Sequence, residues 1–312
     1  MNQDTLEAFK DLIDAANNIV FFTGAGISTE SGIPDFRSQG TGIWEKMKPI
    51  YFEEFLKSEE ARSEQWRRKF AGEMKMEGAK PNNGHKAIAR LVEMGKCAGV
   101  ITQNVDNLHQ NAGVPDEQVI ELHGNASYAK CLSCELRYEL ADLKAQFELQ
   151  ERIDPCSRCG GIIKGATISF GQAMPEDAMR RAQIMTERCD LMIATGSTLI
   201  VYPAAGFPEY AKQLGAKLAI LNREETPLDG IADLVLHGEI GPNLSYLAGI
   251  NRNQNLARSG KESIREPLNV LKPPTHIHAQ TMRRISLHIR VPFTPLIPSL
   301  GIQPEHLLHP LA

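Results

Sequence analysis

Leu6, Phe9, Ile13 and Ala16 recur at helical spacing through residues 4–17 with polar residues between them, so the chain opens on an amphipathic helix. The period then changes. Ile19-Val20-Phe21-Phe22 is a short unbroken apolar run of β-branched and aromatic residues, which suits a buried strand. Runs of similar character return at 98–102, 119–122, 166–170, 191–195, 217–221 and 233–236, and helical stretches lie near 85–94, 175–187 and 203–214. Strands alternating with helices predict an α/β fold, a doubly wound, mainly parallel Rossmann-like sheet.

Two stretches break this rhythm. Residues 43–80 are charged and aromatic, with Tyr51, Phe52, Phe55, Trp66 and Phe70, and read as short helices interrupted by Pro49 and Gly72. Core packing is the expected role of those aromatics. Between Cys131 and Cys159 the strand–helix pattern stops, as an inserted module would make it, and it is expected to resume with the strand Ala166-Thr167-Ile168-Ser169-Phe170. Past about residue 251 the composition shifts: eight of the 18 prolines and five of the nine histidines lie there, and Asp is absent. The expected organisation is a catalytic domain over 1–252 and a Pro/His-rich, poorly ordered extension over 253–312. Within the former, a large domain takes in about 1–42, 84–128 and 165–252, and a smaller one about 43–83 and 129–164.

Charge and cysteine usage narrow the partners and the setting. A formal net charge of −4 gives no overall bias toward nucleic acid or an anionic membrane. The first residues include Asp4, Glu7 and Asp11 and lack the basic start and apolar centre of a signal peptide, and no run is long enough to span a bilayer, so a cytoplasmic protein is expected. Nothing in the pattern specifies an oligomeric state. In such a setting Cys131-x-x-Cys134 and Cys156-x-x-Cys159 read as a four-thiolate structural zinc site, closed to water and so without catalytic duty. Cys97 and Cys189 border apolar strands and read as packed small residues.

The remaining candidate chemistry gathers after strands. The first is followed by Thr23-Gly24-Ala25-Gly26-Ile27-Ser28-Thr29-Glu30-Ser31-Gly32-Ile33-Pro34-Asp35-Phe36-Arg37. Gly24 and Gly26 allow backbone N–H groups to approach an anion such as a phosphate. Thr29 stands where a dinucleotide fingerprint has its third glycine, so on the glycines alone a tight turn and a nucleotide loop are both open. Polar groups also follow the later strands: Gln103-Asn104-Val105-Asp106-Asn107-Leu108-His109-Gln110, then His123-Gly124, then Gly196-Ser197, then Asn222-Arg223-Glu224. Open α/β sheets bind ligands at that edge. In isolation His123 is more often a hydrogen-bonded structural histidine than a base, and His109 reads as a helix-surface residue.

Taken together, these strings resemble the motifs of the sirtuins, the NAD-dependent protein deacylases, in order and over roughly residues 5–248. The resemblance implies that NAD is a co-substrate contacted by Gly24, Ala25, Gly26, Ile33, Asp35, Phe36, Arg37, Gln103, Asn104, Asp106, Gly196, Ser197, Asn222, Glu224 and Ile240. It makes His123 the general base on the nicotinamide ribose, with Asn104 ordering ribose and water and Asp106 holding the nicotinamide amide. Cys131, Cys134, Cys156 and Cys159 match the family's structural zinc module. The implied partner is an acylated lysine in a protein, held by strand addition near Phe170-Gly171-Gln172, and the implied products are free lysine, nicotinamide and O-acyl-ADP-ribose. Gln172 stands where many sirtuins have Glu, and Gly165 follows Lys164 where proline is frequent, which bears on peptide preference. Sirtuins favouring acidic acyl groups commonly carry Tyr-x-x-Arg where this chain has Glu64 and Arg67, so acetyl is the default. Mono-ADP-ribosyl transfer and a non-catalytic NAD- or peptide-binding module stay as alternatives.

Overall fold

The computed structural model describes residues 3–37, 40 and 42–250, without the side chains of 45 and 46; the extension expected at 253–312 lies outside the described residues. The strands are β1 (Ile19–Thr23), β2 (Cys97–Thr102), β3 (Val119–Glu121), β4 (Gly124–Cys131), β5 (Arg137–Glu139), β6 (Ile163–Thr167), β7 (Leu191–Thr195), β8 (Lys217–Asn222) and β9 (Leu234–His237). The helices are α1 (Gln3–Ala15), α2 (Ile43–Lys46), α3 (Phe52–Lys57), α4 (Glu59–Phe70), α5 (Asn83–Glu93), α6 (Leu108–Asn111), α7 (Leu140–Gln150), α8 (Glu176–Arg188), α9 (Gly206–Gln213) and α10 (Ile240–Leu247).

Six strands form one sheet in the order β3-β2-β1-β7-β8-β9, with every pairing parallel. Its central strands are apolar at nearly every position because both faces are covered, the usual condition of a parallel sheet. One face packs Phe9, Phe21, Ile88, Ile193 and Leu244 beneath α1, α5 and α10. The other packs Phe22, Ile101, Ala182, Met192 and Phe207 beneath α8 and α9. From β1 the order runs outward through β2 and β3 on one side and through β7, β8 and β9 on the other, which places the topological switch between β1 and β7. Connections diverge there and leave a crevice at the carboxyl ends of the strands. The register is level: Thr23 pairs with Thr102 on one side and with Thr195 on the other.

The second sheet is antiparallel, in the order β5-β4-β6. Here the structure departs from the sequence reading. The stretch expected to resume the α/β rhythm at 166–170 is the end of β6 and the chain beyond it, and β6 pairs with β4 and not with the large sheet. Local composition identified a strand but not its partner. A third and smaller apolar cluster, including Trp66, Ala129, Cys131, Leu143, Phe147, Cys156 and Ile163, serves this sheet. The flap aromatics divide: Phe55 and Trp66 are core residues as expected, whereas Tyr51 is 55% exposed.

Candidate active site

The two loops at the switch point touch through their glycines. A Cβ on Gly24 would lie 2.6 Å from the Gly196 carbonyl oxygen, one on Gly26 would lie 2.7 Å from Gly196 Cα, and one on Gly196 would lie 2.3 Å from the Ile27 nitrogen. Gly196 also has φ +65°, which other residues adopt only at a cost. The Gly24 and Gly26 amides donate to the Thr195 and Gly196 carbonyls at 3.1 and 2.8 Å. The amides of Gly24 and Gly26 are thus bonded to the loop after β7, and close packing of the two loops requires both glycines to be bare. Beyond them residues 25–31 form a 3₁₀ helix that ends at Gly32 in the left-handed region, and the chain leaves it as a loop through Ile33 and Asp35 to Arg37.

Beneath the crevice lies a buried polar network that sequence reasoning missed. The Ser28 hydroxyl donates to Asp106 Oδ2 at 2.7 Å and accepts from Asn104 Nδ2 at 3.2 Å. Asn82 caps α5, with its Oδ1 accepting from the Gly84 and His85 amides and from His85 Nδ1, while its Nδ2 donates to the Ile27 carbonyl. His85 Nε2 faces the Ser28 hydroxyl at 3.5 Å. His109, expected on a helix surface, is only 1% exposed; its Nε2 lies 2.9 Å from Thr23 Oγ1, which in turn donates to Thr102 Oγ1. The two imidazoles meet edge to face with centroids 5.0 Å apart. Burial pushes His85 down to about 4 against the opposing pull of Asp106, and it holds His109 well below the ordinary histidine value. Both rings are neutral. A helix as short as α6 offers too little periodicity to reveal its buried side, and the one signal that could have pointed to this network is Asn82, a residue type favoured at a helix N-cap, just before α5.

His123 occupies the junction between the sheets, after β3 ends at Glu121 and before β4 begins at Gly124. Its Nδ1 is 3.0 Å from the Gln103 carbonyl oxygen, and a carbonyl can only accept, so Nδ1 carries the proton and Nε2 keeps its lone pair. Burial lowers its pKa from the ordinary value, with the Gln103 bond acting the other way. The imidazole is therefore neutral near pH 7 and basic at Nε2. Gln103 is itself oriented, donating through Nε2 to Ser197 Oγ at 2.9 Å.

His123 and all fifteen expected cofactor contacts line a single cleft of about 1090 Å³: the loop positions from Gly24 to Arg37, Gln103, Asn104 and Asp106 after β2, Gly196 and Ser197 after β7, Asn222 and Glu224 after β8, and Ile240 at the start of α10. Asn222 Nδ2 donates to the Glu224 carbonyl at 2.8 Å, which fixes that turn. Glu30 accepts from the Gly241 amide at 2.7 Å and so ties the 3₁₀ helix to α10.

The cleft's other wall is β6, which has β4 on one side and no strand on the other among the described residues. Gly165, Thr167, Ile168, Ser169, Phe170 and Gln172 line the cleft along it. Gln172 Oε1 accepts from the Ser169 amide at 3.2 Å, so the residue that departs from the family's glutamate braces its own turn. Lys164 is fully buried; its ammonium donates to the Thr167 carbonyl at 2.5 Å, and burial lowers it to about 8. Glu64 and Arg67 pair at 2.6 Å, and neither lines the cleft.

Cys131, Cys134, Cys156 and Cys159 place their sulfurs all within 4.8 Å of one another. The donor set fits Zn²⁺ held as thiolates. Hydrogen-bond donors already point at three of these sulfurs: the Tyr138 hydroxyl at Cys156 (3.1 Å), Arg158 Nε at Cys134 (3.2 Å) and the Ser133 amide at Cys131 (3.4 Å). Such donors stabilise sulfur as an anion.

The fold and cleft define an α/β protein with a dinucleotide-type crevice at its topological switch and a four-cysteine zinc module beside it. The model of the Sir2 family matches residues 24–203. The NAD-dependent protein deacetylase of Rhodopseudomonas palustris is 52% identical over 244 residues, 78% of this chain and 96% of that one. NAD-dependent protein deacetylase 1 of Bradyrhizobium diazoefficiens is 53% identical over 244 residues, 78% and 95% of the two chains. A solved Sir2 complex with a deacetylated p53 peptide and 3'-O-acetyl ADP-ribose superposes with TM-score 0.72 at 38% identity, covering 79% of this chain and 98% of that one. One with a p53 peptide and NAD gives 0.69 at 37%, covering 80% and 99%. The chain belongs to the Sir2 family, the sirtuins. No helix among the described residues is long and apolar enough to cross a membrane.

Proposed function

We propose that this protein is an NAD-dependent protein-lysine deacylase, a deacetylase by default, that moves the acyl group onto ADP-ribose with consumption of one water and releases nicotinamide and free lysine. The observation that carries this is the lone pair of His123 Nε2, kept free by the Nδ1 bond to Gln103, on a residue that lines the same cleft as β6. NAD supplies the electrophilic ribose carbon and the leaving nicotinamide.

The chain's own residues do the rest. β6 and the turn to Gln172 present backbone groups to an extended acyl-peptide, as in strand addition. His123 takes a proton from a ribose hydroxyl at Nε2, and Gln103 fixes the ring in the tautomer that can accept it. Asp106 and Asn104, both bonded to Ser28, hold the nicotinamide end. The Gly24–Arg37 loop, Ser197, Asn222, Glu224 and Ile240 hold the remainder of the dinucleotide. Zinc held by the four cysteines closes the β4–β6 region and takes no part in proton transfer. On this reading the small domain comprises about 43–83 and 129–164, the large one the rest of 1–252, and the setting is cytoplasmic.

Mass spectrometry of a panel of acyl-lysine peptides incubated with NAD tests the assignment. The expected result is nicotinamide and O-acyl-ADP-ribose in step with peptide deacylation, with acetyl among the acyl groups removed. Nicotinamide release without deacylation would replace the reading with ADP-ribosyl transfer, and binding without release would replace it with a non-catalytic module.

A further inference from the structure

The cofactor loop and the substrate edge are joined by a row of four aromatic rings. Phe36, in the loop after β1, has its centroid 5.3 Å from that of Trp44. Trp44 lies 5.2 Å from Phe170, and Phe170 lies 5.9 Å from Tyr51. The Arg37 guanidinium carbon sits 4.1 Å from the centroid of the Trp44 ring. Main-chain bonds tie both ends of the row: the Ile43 and Trp44 amides donate to the Asp35 and Phe36 carbonyls at 3.0 and 3.2 Å, and the Phe52 amide donates to the Phe170 carbonyl at 2.9 Å. Trp44 is thus the shared neighbour of two groups assigned to different substrates.

Three of these four rings form a wall of the cleft and not a core. Phe36, Trp44 and Phe170 all line the cleft, Phe36 and Trp44 are half-buried, and Phe170 is 36% exposed. All three ring pairs are tilted. A contact of this kind shifts an equilibrium by roughly 2- to 12-fold, enough to bias one neighbour's position by the other's but too little to lock it. A ligand that fixes Phe170 therefore favours the arrangement of Trp44 that holds Phe36 and Arg37 over the dinucleotide. By linkage the reverse holds by the same factor.

We infer that Trp44 is a positioning residue that couples the acyl-peptide edge to the dinucleotide cleft, so that each substrate tightens binding of the other. The inference rests on the proposed function, which assigns the two ends of the row. A purely structural tryptophan would behave differently: its loss would lower stability and both affinities while leaving their mutual dependence intact.

The test uses the full chain with ADP-ribose, which lacks nicotinamide and cannot turn over, and an acetyl-lysine peptide. Calorimetric titration of ADP-ribose with and without saturating peptide, and of peptide with and without ADP-ribose, gives the coupling factor twice. The wild-type protein is expected to bind ADP-ribose on the order of 5-fold more tightly when peptide is present. Trp44→Ala should bring that ratio close to unity, and Trp44→Phe, which keeps a ring, should restore most of it. Should the alanine variant fail to fold, Trp44→Leu retains apolar volume without a ring and is read in the same way. A ringless variant that keeps the wild-type ratio overturns the inference, as does a wild-type ratio of unity. Wild-type protein that binds neither ligand contradicts the functional reading itself, and the coupling with it.

Discussion

The large parallel sheet and the small antiparallel one meet at His123, yet different forces hold them. The parallel sheet is sandwiched between two extensive apolar layers that include Phe9, Phe21 and Phe22, each with no exposed surface. Burying such a side chain contributes about 1.5–3 kcal/mol, and no special chemistry is needed to keep the strands together. The three-stranded sheet has a much thinner core around Trp66 and Phe147, and four cysteines converge within it. The reactive edge thus has one wall made rigid by burial and another made rigid by a metal site. Activity is expected to need both, and stability of the parallel sheet only the first.

Metal removal should separate the two regions most sharply. Structural zinc sites bind with apparent free energies of about 10–16 kcal/mol, at least as much as the few buried side chains of so thin a core. Chelation, or Cys156→Ser, should release zinc, abolish acyl-peptide turnover and raise hydrogen exchange across β4–β6 while β1, β2 and β7 stay protected. Uniform loss of protection in both sheets would show that they are one cooperative unit.

Within the parallel sheet the tightest constraint is Gly196. An alanine there would meet the Ile27 nitrogen at 2.3 Å with φ +65°. The cost should be about 2–5 kcal/mol from backbone conformation and overpacking combined. Because the loops after β1 and β7 both line the cleft, the melting temperature and ADP-ribose affinity of Gly196→Ala should fall together. Unchanged melting would mean that the loops separate at little cost.

A smaller effect comes from the neutral histidines under the parallel sheet's edge. His85 has a folded-state value of about 4, below its ordinary 6.5, so between those values the unfolded chain binds a proton that the folded chain refuses. Stability therefore falls as pH drops through that window, by about 2 kcal/mol between pH 7 and 5 for His85 alone. His109, held well below its ordinary value by burial, adds to the same slope. Urea unfolding at pH 7, 6 and 5 checks this. His85→Gln should flatten the dependence, and an unaltered slope in that variant would remove His85 as its source.

How far each region was legible follows the same division. Continuous runs such as Ile19-Val20-Phe21-Phe22 announce strands buried on both faces, and the polar residues after them announce the edge where a cleft opens, so the parallel sheet and the residues gathered in its cleft could be read from the chain. The second sheet could not. β4 is polar at many positions, and β6 looks like another parallel strand until its partner is known. Long-range contacts were illegible in two further places. The glycines at 24 and 26 suggested a ligand's approach, and nothing near them in the chain showed that they also make room for Gly196, some 170 residues further along. His109 looked exposed because the residues that enclose it, Thr23 and His85, are remote in sequence.

The most direct test addresses the junction itself. Turnover of an acetyl-lysine peptide, ADP-ribose affinity and melting temperature should be measured on one preparation of His123→Ala. As the proposed base at the junction of the two sheets, His123 is expected to contribute on the order of 10²–10⁴ in rate, so turnover should fall by that factor. Melting and ADP-ribose binding should stay near wild type, since the imidazole's only described hydrogen bond is to the Gln103 carbonyl and such a bond is worth about 1 kcal/mol. A folded variant that binds ADP-ribose and still turns over the peptide at close to the wild-type rate would contradict the account.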